Sequence, residues 1–268
     1  MALKLESLKL IAYGLSDAGL VRQNNEDVWG SLPQHHLFVL ADGMGGHQSG
    51  EVAAKEAVHF LCTYLHKILD QAQVLTLDVD DVMKIVRDAI VETNRDVFDL
   101  GLSHELLKGM GTTLCCLYFH DDYVVHAHVG DSRIYRMRHN KIEQLTQDHS
   151  LLRELIDKGR LREHEKKDFL YKNIITRAIG TEAEVQPSVN ISMIHAGDMY
   201  LLCSDGLSDP LSREELELLL NQPLTVEEKV RSLIHAAKRK GGYDNITVVL
   251  IEVVAEHAQG QNREEHIS

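Results

Sequence analysis

The sequence predicts an α+β fold: a four-layer αββα sandwich of two antiparallel β-sheets, with a helix pair outside each. Three observations carry this. Short apolar runs and helical stretches fall in blocks, in the order strands, two helices, many strands, two helices, strand. Segregated blocks argue for antiparallel sheets rather than alternating βαβ units. The helical stretches form two amphipathic pairs, and each pair needs an apolar sheet face to cover. No internal repeat or low-complexity linker divides the 268 residues, a length that suits one β-rich domain. That domain is expected over residues 1–254, with a polar tail at 255–268.

Leu8–Leu15 is mostly apolar and predicts a strand, and the polar Asp17–Asp27 (DAGLVRQNNED) predicts a loop. Strands follow at Val28–Leu32 and Leu37–Leu40, parted by Pro33. Val52, Ala53, Val58, Leu61, Leu65 and Ile68 recur at helical spacing over Glu51–Leu69. After a break at Gln71–Leu77, Val82, Ile85, Val86, Ile90 and Val97 line one side of a second helix, Asp80–Leu100. Thr112–Phe119, Tyr123–Val129, Ser132–Arg138 and Lys141–Leu145 read as an antiparallel meander, with Asp121-Asp122 and His139-Asn140 at hairpin tips. His149–Lys172 is charged and weakly periodic, a short helix within a mobile segment. Strands are expected at Val189–Ile194 and Met199–Cys203, helices at Ser212–Leu220 and Val226–Arg239, and a last strand at Asn245–Val254.

Charge and cysteines bound the function. Asp and Glu number 41 against 28 Lys and Arg. Nucleic-acid affinity rests on Lys and Arg neutralising phosphates, so that class is excluded. Cys62, Cys115, Cys116 and Cys203 form no C-x-x-C pair and read as buried thiols of a reducing compartment. No apolar run reaches membrane-spanning length, and the charged MALKLESLKLIAYG start lacks a signal-peptide stretch. The expectation is a cytoplasmic protein that binds neither membrane nor nucleic acid.

Within this frame, Leu37–Gly46 (LFVLADGMGG) stands out. An apolar run ends in Asp42 and then breaks into glycines, which predicts a buried strand opening to solvent at a carboxylate. Asp131 follows YVVHAHVG, Asp205 follows MYLLCS and Asp244 precedes NITVVLIEVV. In antiparallel pairing the end of one strand lies beside the start of its neighbour, so these four aspartates converge on one rim, and Glu26 before Val28–Leu32 joins them. Any one Asp-Gly is simply a good turn. Crowded together, however, the carboxylates repel, and a divalent cation removes that cost. The donors are all oxygen, without Cys/His spacing of the zinc kind, which suits Mg2+ or Mn2+. Two such ions would activate a water and clamp a phosphoryl group for in-line attack.

R-x-x-N-E-D at Arg22–Asp27, ADGMGGH at Ala41–His47, GTT at Gly111–Thr113, GDSR at Gly130–Arg133, SDGL at Ser204–Leu207 and DNIT at Asp244–Thr247 resemble, in the same order, the metal-dependent PPM/PP2C serine/threonine protein phosphatases, in their bacterial form. The resemblance implies a β-sandwich and a binuclear Mn/Mg centre. Asp42 would bridge both ions and the Gly43 carbonyl would bind one. Asp205 and Asp244 would hold the other, with Glu26 acting through water. Bacterial members resemble one another in a third, weaker ion site, whose matching positions are Asp131 and Asp205. Arg22 would bind the substrate phosphate with its bidentate fork. Where eukaryotic members carry a histidine general acid, this chain has Met44; His47 is the nearest titratable substitute, and metal-bound water is the other candidate. Residues 149–175 match the variable flap. The implied partners are phosphoprotein substrates and a cognate Ser/Thr kinase, with a monomeric phosphatase. Asn245 and Thr247 are expected to orient the Asp244 turn, and Thr176 and Arg177 to be structural.

Other chemistries fare worse. A cysteine phosphatase needs C-x5-R, and no cysteine here has Arg six residues on. LTLDVDDV at Leu75–Val82 mimics an aspartyl-nucleophile motif, but it lies between helical patterns, where Asp caps a helix. His126 and His128 alternate on one strand and read as structural. The alternative function is a catalytically weak phosphoprotein-binding module of the same fold. Such a copy would lose strand-end aspartates, and all four are present with Glu26 and Arg22.

Overall fold

The computed structural model describes residues 8–45, 49–71, 77–171 and 174–256. A five-stranded antiparallel sheet has the order β1 (Leu8–Asp17), β11 (Ile246–Ala255), β10 (Met199–Cys203), β7 (Arg133–Arg138), β8 (Lys141–Gln144). The second sheet runs β2 (Asp27–Leu32), β3 (Leu37–Met44), β5 (Leu114–His120), β6 (Tyr123–Val129), β9 (Ser188–Met193), and short β4 (Gly111–Thr112) pairs with the end of β3.

Both faces of the central strands are buried, so they read as continuous apolar runs. Phe38, Leu40, Leu117 and Phe119 of one sheet meet Ile134, Tyr200, Leu202, Val249 and Ile251 of the other. Phe119 is the pivot, edge-on to Phe38 at 6.1 Å and to Tyr200 at 5.3 Å. Leu37, Val39 and Ala41 point the other way, under α1 (Ser49–Leu69) and α2 (Val79–Ser103). Outside the first sheet, α5 (Arg213–Leu220) and α6 (Val226–Arg239) bury Leu216, Leu220, Val230 and Leu233 against Leu201, Val248 and Leu250. The four-layer expectation is met.

Helix starts follow capping chemistry. Asp78 caps α2, accepting from the Asp81 amide at 2.9 Å, which is the capping role read for LTLDVDDV. Ser212 with Glu215 and Thr225 with Glu228 close reciprocal capping boxes on α5 and α6. Asp121, His139 and Asn140 take positive φ at the hairpin tips.

Three expectations need correction. The stretch from Thr112 to Leu145 is not one meander: β5 and β6 lie in one sheet and β7 and β8 in the other. The crossing falls at Gly130–Ser132, where Gly130 has φ +100, a conformation that breaks the ladder. β3 does not stop at Leu40 but runs through Asp42 to Met44, because β4 pairs with Gly43 and Met44. A short helix, α4 (Asp205–Ser208), starts at an aspartate read as a strand end.

In the 149–175 stretch lie α3 (Leu151–Asp157) and a 3-10 turn at Glu163–Asp168. Ala255 belongs to β11, and the rest of the expected tail from residue 257 lies outside the described residues. All four cysteines are free, and burial pushes the Cys62 thiol up to about 11 and those of Cys116 and Cys203 to about 12. Among the described residues no helix is long and apolar enough to cross a membrane.

Candidate metal centre

The two sheets end together at one rim, and each sends carboxylates there. Asp42 comes from β3 and Glu26 and Asp27 from the start of β2; Asp131 follows β6. The other sheet supplies Asp205 after β10 and Asp244 before β11. Arg22, Glu26, Asp42, Gly43, Asp131, Asp205 and Asp244 line one cavity of about 280 Å³. Every expected site residue is therefore in this cavity except His47, which lies outside the described residues.

The Asp42 backbone is clamped by the GTT segment. Its amide donates to the Thr113 hydroxyl at 3.0 Å, while its carbonyl accepts from the Thr113 amide and the Thr112 hydroxyl, both at 2.9 Å. Thr113 Oγ1 also meets Ser132 Oγ at 2.7 Å, tying Asp42 to the turn that carries Asp131. Both Asp-Gly pairs need glycine for close backbone approach: a Cβ on Gly43 would fall 2.1 Å from the Gly50 carbonyl, and one on Gly206 1.9 Å from that of Asn245.

Asn245 donates its backbone amide to Asp244 Oδ1 at 2.9 Å, in keeping with the expected role at that turn, and its side chain has a further task. Its amide group donates to the carbonyls of Ala18 (3.2 Å) and Asn24 (2.9 Å), and its Oδ1 accepts from the Glu26 amide at 2.9 Å. It thus staples the Arg22–Glu26 loop to β11. Thr247 completes a buried chain: its amide donates to Ser204 Oγ, which donates to Asp27 Oδ2 at 2.7 Å.

Arg22 is exposed at the mouth and donates to Asp244 Oδ2 at 2.8 Å. Arg133 of GDSR instead grips Asp148 with two nitrogens, at 3.0 and 2.7 Å, fixing the chain ahead of α3. His149, just before α3, accepts from the Gly130 amide at Nδ1 and donates its own amide to the Gly130 carbonyl. A lone bridge joins Ser150 to Ile175, and Ile175 reaches the carboxylate cavity. Arg177 lies 3.4 Å from His149 Nε2, a structural contact. His126 and His128 are buried as expected, facing Ser192 and the Gln147 carbonyl.

The electrostatics ask for cations. Burial and neighbouring carboxylates push Asp42 and Asp205 well up, and burial raises Asp131 to about 6. Asp27, opposite Asp42 in the β2–β3 register, is raised by burial too, and its Oδ1 has no hydrogen-bond partner. Asp27 was not singled out in the sequence; the signal available was its place as the last letter of R-x-x-N-E-D. No three of these carboxylates offer oxygens all within 4.8 Å of one another. The arrangement is an open one that leaves room for water around hard ions, as Mg2+ and Mn2+ sites require. The all-oxygen set, the buried repulsion and the unpartnered Asp27 oxygen fit a divalent centre.

The family model for Protein phosphatase 2C matches residues 16–250. The chain belongs to the protein phosphatase 2C family. This family member is 36% identical over 248 residues to protein phosphatase PhpP of Streptococcus pneumoniae serotype 2, spanning 91% of this chain and 98% of that protein. It is 35% identical to the serine/threonine phosphatase stp of Listeria monocytogenes serovar 1/2a, over 88% of this chain and 93% of that one. The crystal structure of the Mycobacterium tuberculosis serine/threonine phosphatase PstP/Ppp superposes with a TM-score of 0.80 at 37% identity, covering 91% of this chain and 98% of its own. A PstP catalytic domain in complex with two manganese ions matches at 0.78 and 37%, covering 92% of this chain and 99% of its own.

Proposed function

We propose that this 2C phosphatase hydrolyses phosphoserine and phosphothreonine in proteins directly, without a phosphoenzyme. The observation that carries the reading is the meeting of carboxylates from both sheets with Arg22 in one small polar cavity. At about 280 Å³ it suits the phosphorylated tip of a side chain better than a whole small-molecule ligand. We assign Asp42 and the Gly43 carbonyl to a divalent pair, Mn2+ or Mg2+, Asp205 and Asp244 to its second ion with Glu26 nearby, and Asp131 with Asp205 to a third, weaker one. When bound, the ions supply an activated water and neutralise phosphoryl charge.

The chain's own residues do the rest. Arg22 turns its fork to the phosphoryl oxygens, and its pairing with Asp244 keeps it aimed at the cavity. Thr112 and Thr113 hold Asp42 in place. His47 is our candidate to protonate the leaving alkoxide, on sequence grounds. We take residues 1–254 as one catalytic domain with 149–175 as a flap, acting in the cytoplasm as a monomer on phosphoproteins and opposing a cognate Ser/Thr kinase. The strongly acidic chain fits partners other than nucleic acid.

Turnover of a phosphothreonine peptide with Mn2+ tests the reading. EDTA or Asp42→Ala should abolish it, and activity surviving either would overturn the two-ion mechanism. Arg22→Ala should chiefly raise KM, because Arg22 binds phosphate in the ground state; a pure kcat loss would count against its role.

A further inference from the structure

The geometry points to a second metal site, separate from the catalytic centre, in which His35, His66 and Asp70 hold a zinc-class transition ion. His66 lies in the last turn of α1, and Asp70, four residues on, continues that turn by donating its amide to the His66 carbonyl at 3.0 Å. His35 comes from the 3-10 turn Pro33–His35 that joins β2 to β3. That turn is stiff: Pro33 opens it, and His36, left-handed at φ 51, closes it by donating its amide hydrogen to the Pro33 carbonyl. His35 Nε2 stands 3.0 Å from His66 Nδ1 and 3.2 Å from Asp70 Oδ1. His66 Nε2 is 3.5 Å from Asp70 Oδ2.

One ligating atom from each residue lies within 4.8 Å of the other two, and no other His/Cys/Asp/Glu trio among the described residues does this. Donors about 2.0–2.1 Å from a tetrahedral zinc stand roughly 3.3 Å apart, close to the 3.0 and 3.2 Å at which His66 Nδ1 and Asp70 Oδ1 stand from His35 Nε2. The imidazoles are tilted by 49° with centroids 5.2 Å apart, so nitrogens rather than ring faces meet. The His35 side chain is only 12% exposed and hence held, whereas His66 at 49% and Asp70 at 58% leave the outer side open for water ligands.

The chemistry sets this trio apart from the catalytic rim. Two imidazoles and one carboxylate favour Zn2+, Cu2+ or Ni2+, whereas an all-oxygen set favours Mg2+ or Mn2+. The location is separate as well. His35 precedes the start of β3 and Asp42 lies near its end, roughly 20 Å apart at strand rise. An ion here would pin the end of α1 to the β2–β3 turn. It would add stability by binding only the folded chain and leave the reaction alone. Metal-free, the same residues form a hydrogen-bonded histidine pair leaning on Asp70.

Cu2+ serves as the spectroscopic probe, added at one equivalent to the full chain at pH 7.5 in saturating Mg2+. The expected electron paramagnetic resonance signal carries two imidazole nitrogens, a pattern the all-oxygen centre cannot give. His66→Gln and His35→Gln should each erase it, and Zn2+ should compete it away. Zn2+ should also raise Tm in the wild type and not in His66→Gln. Loss of one imidazole should weaken Zn2+ binding at least about tenfold, the low end of what even an outer-shell substitution costs. Mg2+-supported activity should stay unchanged in His66→Gln. Glutamine is a good helix former at this half-exposed position, and Asp70→Asn offers a second variant that keeps the fold. A signal without nitrogen, or one unchanged in both histidine variants, overturns the site and leaves the phosphatase reading untouched.

Discussion

Asp27 and Asp42 face each other across one register position of β2 and β3, and Asp205 and Asp244 add charge from the other sheet. Without cations this is like-charge crowding in poorly solvated surroundings, so these carboxylates weaken the fold they sit in. Asp205→Asn should therefore raise the cation-free Tm by about 2–4 °C, the shift that roughly 1 kcal/mol produces in a chain of this size. The same variant should lose most of the Tm gain that Mn2+ gives the wild type; calorimetry with and without Mn2+ checks both. His126 behaves in the opposite sense. Burial, then the neighbouring His128 and Arg136, push its imidazole down to about 4 from an ordinary 6.5. Between those values the unfolded chain binds a proton that the native chain refuses, so stability falls as pH falls through that window. Wild type should lose stability relative to His126→Gln from pH 6.5 to 4, and the His126 ring should stay neutral by NMR until about pH 4. The roles of single residues were unevenly legible. The four strand-end aspartates announce themselves because each interrupts an apolar run. Asp27 does not, since the hydroxyl that donates to it, on Ser204, is 177 positions away.

At the scale of elements, the GTT clamp joins three segments. Thr113 Oγ1 serves the Asp42 amide on one side and Ser132 on the other, fully buried. Thr113→Val keeps the volume but leaves a buried donor unsatisfied, at a cost of about 1–3 kcal/mol. It should lower kcat as well, because Asp42 and the Asp131 turn lose their common tether. Denaturant melts and steady-state kinetics on one preparation check the pair of effects. Helices were the most readable elements, since apolar spacing and Ser/Thr-x-x-Glu boxes are local signals. Strand partnership was less so. The runs of β5 to β8 look alike in sequence, and only the backbone at Gly130 sends the second pair to the other sheet. Likewise β3 outlasts its apolar run because β4, some seventy residues on, supplies the pairing.

Across the whole molecule, the centre exists only where the sheets are held face to face. Phe119, 1% exposed, packs edge-on to aromatic rings of both sheets. Phe119→Ala should cost about 3–5 kcal/mol. It should also weaken Mn2+ affinity, because the carboxylates of the two sheets would no longer be held in register with one another; metal titration of the folded variant reads this separately from stability. The pairing of β1 with β11, from Leu8↔Ala255 to Asp17↔Ile246, carries a consequence for biosynthesis. The strand that leaves the ribosome early has to wait for the one that leaves late, and that late strand also separates β1 from β10. Non-local pairing of this kind slows folding. A nascent chain short of residue 244 lacks both the aspartate and the strand that seats it, so the carboxylate rim stays incomplete until β11 has been made.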